Sequence, residues 1–242
     1  MGMVDRDLLW VTRSQPGAQR LASTLEDAGY PCLVAPVLRI EPRPAESLPA
    51  RISVAVALSE HAVQHAPVDL WARAETVIAV GARTAAVLAE RGVHGSIPQV
   101  ASSEGLLSGP LAPWLAAPEA VAAPVALVSG YGGRTVLRDA LRDAGLDVCC
   151  IEVYERCVVA EPPAGLDRVR ALVVSSGDGF SAASRLWCPG DQQPDVPVFA
   201  PSQRVAAMAA RLGFSRAYDC AGADPQSVLA QVQRVLAQHE ND

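Results

Sequence analysis

The residues of this chain whose types could do chemistry are hydroxyls, glycines and arginines set at the ends of apolar runs. They are Thr12 and Arg13, Ser59, the stretch 81–84 that ends in Thr84, the stretch 129–134, Ser175 and Ser176, and Ser202. No nucleophile stands beside a base, and no two carboxylates are spaced for general acid–base work. A surface of that kind grips a polyanion through many neutral donors, so any reaction there must come from positioning or from a single acid. The densest piece is Ser129-Gly130-Tyr131-Gly132-Gly133-Arg134. It follows the apolar run 125–128 and precedes Leu137 and Leu141 at helical spacing, which reads as strand, glycine loop and helix. Glycines there leave the first N–H groups of a helix open to an anion, with Arg134 in the first turn adding charge. A plain turn between strand and helix is the alternative.

Composition narrows the partners. Twenty-six acidic residues against 20 basic ones give a net charge of −6, and no run of arginines breaks it, which argues against nucleic acid. Every basic side chain is arginine, so a lysine Schiff base and a P-loop lysine are both excluded. The six cysteines show no CxxC or other metal spacing. Cys149 and Cys150 are adjacent in an expected strand, where neighbours point to opposite faces and cannot hold one ion together. The four histidines are scattered. With no apolar run near the roughly 18 residues of a membrane span, and no leader-like start, a soluble cytoplasmic protein is expected.

The elements that must position these groups come in two copies. Val11, Gly17, Leu21, Leu25 and Gly29 match Leu127, Gly133, Leu137, Leu141 and Gly145, each pair 116 positions apart. A constant offset over a strand–helix–strand unit marks duplication. VALS, ending at Ser59, parallels VVSS, ending at Ser176, and the glycine-bounded stretch 81–92 parallels 202–213. Strands alternating with helices predict parallel sheets covered on both faces. About ten strand candidates suit two flavodoxin-like lobes of five strands better than one sheet.

Two segments rich in Pro and charge, 39–44 and 154–163, each follow the second strand of a copy. If the chain crosses between lobes at both, one lobe comprises 1–38 and 164–242, the other 45–153, in a strand-swapped duplication with a cleft between lobes. A sequential split near 118, where prolines cluster in an Ala-rich stretch, is the alternative.

With those residues placed, the chain resembles the uroporphyrinogen-III synthase family over nearly its whole length. VTR at 11–13, VGARTA at 80–85, SEGLL at 103–107, GYGGR at 130–134, VYER at 153–156, VVSSGDG at 173–179 and APSQRVAAMA at 200–209 carry the likeness by order and spacing. The resemblance implies two flavodoxin-like lobes joined by a two-stranded ladder. It implies a cofactor-free, metal-free lyase that closes hydroxymethylbilane, a linear tetrapyrrole with eight carboxylates, while inverting the fourth pyrrole ring. The tyrosine of the VY motif, here Tyr154, would deliver the one proton needed to expel water, and a phenol keeps its proton at neutral pH. Aromatic packing at a strand end is the other use for Tyr154.

Arg13, Ser59, Thr84, Ser103, Gly130, Gly132, Gly133, Arg134, Ser175, Ser176 and Ser202 are the expected substrate-binding positions. Thr84 and Ser103 also fit as helix caps, and Arg83 as a solvated charge. Leu58, Ser129, Tyr131 and Val205 depart from the family pattern. A monomer is expected, and a two-lobed sensor for a carboxylated metabolite is the rival reading; a flavin or receiver domain lacks its paired acids.

Overall fold

The computed structural model describes residues 7–133, 135–187 and 195–236. Strands and helices alternate along the chain. The described strands are β1 Leu8–Val11, β2 Cys32–Val34, β3 Leu38–Pro42, β4 Ile52–Ala57, β5 Ala74–Ala79, β6 Val125–Gly130, β7 Val148–Val158, β8 Val169–Val173, β9 Val198–Ala200 and β10 Ala217–Asp219. The helices are α1 Gly17–Asp27, α2 Glu60–His65, α3 Ala82–Glu90, α4 Ser103–Ser108, α5 Ala112–Ala116, α6 Val136–Asp143, α7 Gly177–Trp187, α8 Gln203–Arg211 and α9 Pro225–Leu236. The chain divides into two compact units, residues 1–39 with 157–242 (lobe 1) and residues 40–156 (lobe 2).

Each lobe holds one five-stranded sheet, as the strand count predicts. In lobe 1 the order is β10-β9-β8-β1-β2, every neighbouring pair parallel. The second sheet runs β3-β7-β6-β4-β5, with β7, β6, β4 and β5 parallel. Along β3 and β7 the partner's number falls as the chain's rises, from Val159 N–H on the Val37 carbonyl to Arg43 N–H on the Val153 carbonyl, so this edge pair is antiparallel. Both passages of the chain between the units lie in these two strands.

Side chains that alternate along each strand supply both faces of each sheet. In lobe 1, Leu9, Val11, Ala171, Val173 and Phe199 pack under α1 and α9, while Trp10, Leu172 and Val198 pack with Phe180 and Phe214 on the other face. In lobe 2, Ala55, Ala57, Val77, Ala126, Val128 and Ile151 share one face with Val63 and Leu88, and Val54, Val56, Ile78, Val125 and Leu127 share the other with Leu137 and Leu141. Gly29 and Gly145, partners in the repeat, end their helices at φ +87° and +89°, a left-handed geometry that glycine adopts without a Cβ penalty.

One element differs from its sequence reading. The strand expected over 148–153 runs on to Val158 as β7, so Tyr154 lies inside the strand and the polar segment read as the start of a linker is paired chain. Beyond Tyr154 the strand has run past its last β6 partner, and residues 155–158 alternate between half-buried and exposed, which gives this end of β7 the composition of a linker.

Candidate active site

Four elements of lobe 2 meet at one corner. The ends of β4 and β6 lead into Ser59 and the glycine loop, α2 starts at Glu60, and β7 passes alongside. Ser59 is the N-cap of α2, where its Oγ accepts the Ala62 N–H at 3.0 Å and its extended backbone turns the chain into the helix. On β7 the pairing with β6 slips by one residue, since Ser129 pairs with Glu152 but Gly130 pairs with Tyr154. That bulge reverses the alternation. Val153 continues the inward face of Ile151, and Tyr154, which strict alternation would send outward with Glu152, turns inward as well and joins the same core cluster.

Gly130 makes room for the ring. A Cβ on Gly130 would lie 2.5 Å from the Tyr154 Cζ and 2.6 Å from its Cε2, so no other residue fits while the ring stays in place. Tyr154 is 1% exposed. Its hydroxyl lies 3.1 Å from Ser59 Oγ and accepts a hydrogen bond from Arg156 Nη2 at 2.8 Å. Arg156 is two residues along β7, so it lies on the same side of the strand, and it is exposed.

Two histidines of α2, one turn apart, complete the corner. His61 meets the Tyr154 ring edge-on at 5.5 Å between centroids, and His65 lies at 6.2 Å. Burial lowers the pKa of both below the ordinary 6.5. For His61 the hydrogen bond to Gln64 opposes that shift while His65 and Arg156 add to it; for His65, Arg91 adds to it. Both imidazoles are therefore neutral at pH 7, which keeps the surroundings of the phenol free of further positive charge.

Tyr154 is thus a hydroxyl held between a cap serine and an arginine, with two histidines against its ring. The family model described as uroporphyrinogen-III synthase HemD matches residues 19–230. The chain belongs to the uroporphyrinogen-III synthase family. It is 28% identical to the uroporphyrinogen-III synthase of Escherichia coli K12, over 92% of this chain and 98% of that one. Its fold is like that of uroporphyrinogen-III synthetase from Helicobacter pylori 26695, with a TM-score of 0.66 at 14% identity over 95% of this chain and 99% of that one. A mutant uroporphyrinogen III synthase from Thermus thermophilus aligns with a TM-score of 0.57 at 17% identity, covering 96% and 98%. At those identities the two structural likenesses speak to fold alone. The two-lobed α/β architecture is thus the family's, and the sensor reading is not favoured.

Of the residues expected from the sequence, the structure brings Ser59, Gly130 and Tyr154 together. Gly132 and Gly133 follow in the loop, where the Gly132 N–H donates to Glu152 Oε1 at 3.4 Å and Arg43 stacks 4.5 Å over the Tyr131 ring. The loop therefore already holds a carboxylate, though one from its own chain. It does not open directly onto a helix as expected, because α6 begins only at Val136, capped by no side chain. Arg134 lies outside the described residues.

Thr84 and Ser103 stand apart from this corner and neither caps its helix. Thr84 is the third residue of α3 and buried, with Gly81 in the cap position. Ser102, not Ser103, caps α4, its Oγ accepting the Gly105 N–H at 3.0 Å. Arg83 is exposed. In lobe 1, Arg13 Nη1 donates to the Ala223 carbonyl at 3.0 Å and its side chain covers Gly17, where a Cβ would collide with it. Ser176 caps α7 through the Gly179 N–H at 3.0 Å, Ser175 beside it is half-buried, and Ser202 precedes α8 with no cap bond from its side chain.

The sequence reading missed Arg156, His61 and His65. Their signals were the i, i+2 step from Tyr154 on a strand and the i, i+4 step on a helix that starts at Ser59. Burial pushes the thiols of Cys32 and Cys220 up to about 12 and that of Cys149 to about 11, so these three keep their protons.

Proposed function

We propose that this chain closes hydroxymethylbilane to uroporphyrinogen III, inverting the fourth pyrrole ring as it does so, with the Tyr154 corner of lobe 2 as the source of the single proton required. One observation carries the reading. In a chain matched to the family over residues 19–230, the hydroxyl of the VY tyrosine is held by two side chains, Ser59 and Arg156. The pyrrole nitrogen supplies the electrons that expel the hydroxymethyl oxygen, so the protein needs only to protonate that oxygen and hold the chain folded. Carboxylates of the substrate are met by strand-end donors: Ser175, Ser176, Ser202 and Arg13 in lobe 1, Gly132, Gly133 and Arg134 in lobe 2.

No cofactor or metal enters this mechanism, and a monomer is the proposed oligomeric state. Among the described residues no helix is long and apolar enough to cross a membrane. The cysteines described, Cys32, Cys149, Cys150, Cys157 and Cys220, are free, which suits the reducing cytoplasm.

The test is to supply hydroxymethylbilane, oxidise the products and separate the porphyrin isomers. Type III product is expected. Type I alone, the product of spontaneous closure, would reject the enzyme. In Tyr154→Phe, kcat is expected to drop by about 100-fold, the lower end of a general acid's contribution, with KM nearly unchanged. Full activity in that variant would take the role away from Tyr154.

A further inference from the structure

At 1% exposure the Tyr154 phenol has almost no surface on which to meet a substrate, and its hydroxyl is already engaged twice. The order of those bonds follows from what each group can do. A guanidinium has donors only, so Arg156 fills a lone pair of the phenol oxygen. A buried phenol proton needs an acceptor, and Ser59 Oγ at 3.1 Å supplies one, so the phenol is assigned as the donor of this pair. Ser59 Oγ also accepts the Ala62 N–H at 3.0 Å, so both its lone pairs are taken and its own O–H is left to donate outward. Ser59 is half-buried rather than sealed in.

We propose that Ser59 is a catalytic residue that hands the proton to the leaving hydroxyl, that Tyr154 replaces that proton from behind, and that Arg156 is the positioning residue that sets the direction of the chain. The proposal rests on the reading of Tyr154 as the proton's source. In the step, the C–O bond of the hydroxymethyl group breaks and its electron pair leaves with the oxygen. That oxygen takes the Ser59 proton and departs as water, while Ser59 Oγ takes the Tyr154 proton. The pyrrole nitrogen lone pair is drawn into a ring C=N bond, the ring π electrons shift to form the new exocyclic double bond, and the phenolate left behind faces Arg156. After ring closure the substrate loses one proton from carbon, which returns to the phenolate, so water is the only net loss.

Two protons in flight give a signature that a packing role does not. Single-turnover rates in mixtures of light and heavy water are expected to bow below a straight line for the native protein and to fall on a straight line for Ser59→Ala. Ser59→Ala is expected to lose about 100-fold in kcat with little change in KM, and the Ser59→Ala/Tyr154→Phe pair to lose no more than either alone. Ser59→Thr, which restores both hydroxyl and cap, should return to within about threefold of native. Arg156→Ala should lower kcat by about tenfold, with Arg156→Lys recovering part of it.

A straight native plot, or full activity in Ser59→Ala while Tyr154→Phe is impaired, would overturn the relay and leave Tyr154 acting directly. Full activity in both variants would instead remove the Tyr154 reading. If Ser59→Ala fails to fold for want of its cap, as its melting curve will show, the native plot and Ser59→Thr decide.

Discussion

In lobe 1 the Ser14 hydroxyl donates to the Leu38 carbonyl at 2.9 Å; 116 positions on, in lobe 2, Gly130 lies against the ring of Tyr154. The two corners occupy the same place in the repeat: Leu38 and Tyr154, like Ser14 and Gly130, are 116 positions apart. They differ in what the contact carries. Lobe 1 closes its corner with a serine side chain bonded to the backbone carbonyl of the apolar Leu38, and its cap serine, Ser176, is followed by Asp178 and Ala182 where lobe 2 has His61 and His65 after Ser59. Lobe 2 has glycine where lobe 1 has serine, and that leaves space for a phenol. The same frame occurs twice, and side-chain volume at one position decides which copy can hold an aromatic ring there.

The strongest way to break that contrast is Gly130→Ala. Its Cβ meets the Tyr154 ring carbons, so the ring must move or the strands must part, and both the rate loss of Tyr154→Phe and a destabilisation of about 1–3 kcal/mol are expected, read from isomer assays and denaturant melts. Native stability and native rate in that variant would show that the close fit is unimportant.

The imidazoles give a second, smaller effect. Their folded pKa values lie below 6.5, so the unfolded chain binds more protons than the folded one as pH falls through 6.5 towards those lowered values, and stability is lost across that window as pH falls. Above pH 6.5 both states are neutral and the effect vanishes. Melting temperatures at pH 7.5 and 5.5 should therefore separate more in the native protein than in His61→Gln/His65→Gln, and equal separation would deny the histidines this role.

The mildest change is expected from Ser14→Ala in lobe 1, about 1 kcal/mol for one half-buried hydrogen bond, with the ratio of type III to type I product unaltered. A changed ratio would mean that the lobe 1 corner takes part in the chemistry after all.

Much of the fold was legible because local physics repeats. Glycines that end α1 and α6 in left-handed geometry, and apolar runs long enough for strands, fix the alternation of elements wherever they recur. The parallel sheets follow from that alternation. The site was legible in part. Ser59, Gly130 and Tyr154 were each marked by their types, and the family resemblance singled out the tyrosine. Thr84 and Ser103 also read as possible caps because a hydroxyl near a helix start looks the same in sequence whether it caps or lies inside the first turn. Arg156 read as part of a charged linker, since the β3 partner beside this end of β7 cannot be seen from composition.

By itself, then, the sequence determined a doubled strand–helix plan, the absence of lysine chemistry, and a supply of hydroxyls and glycines at the ends of strands, all of which depend on residues close together in the chain. The inward turn of Tyr154 was decided only by the tertiary structure. It depends on a one-residue slip in the pairing of β7 with β6, and such a slip exchanges the two faces of a strand without altering a single local preference.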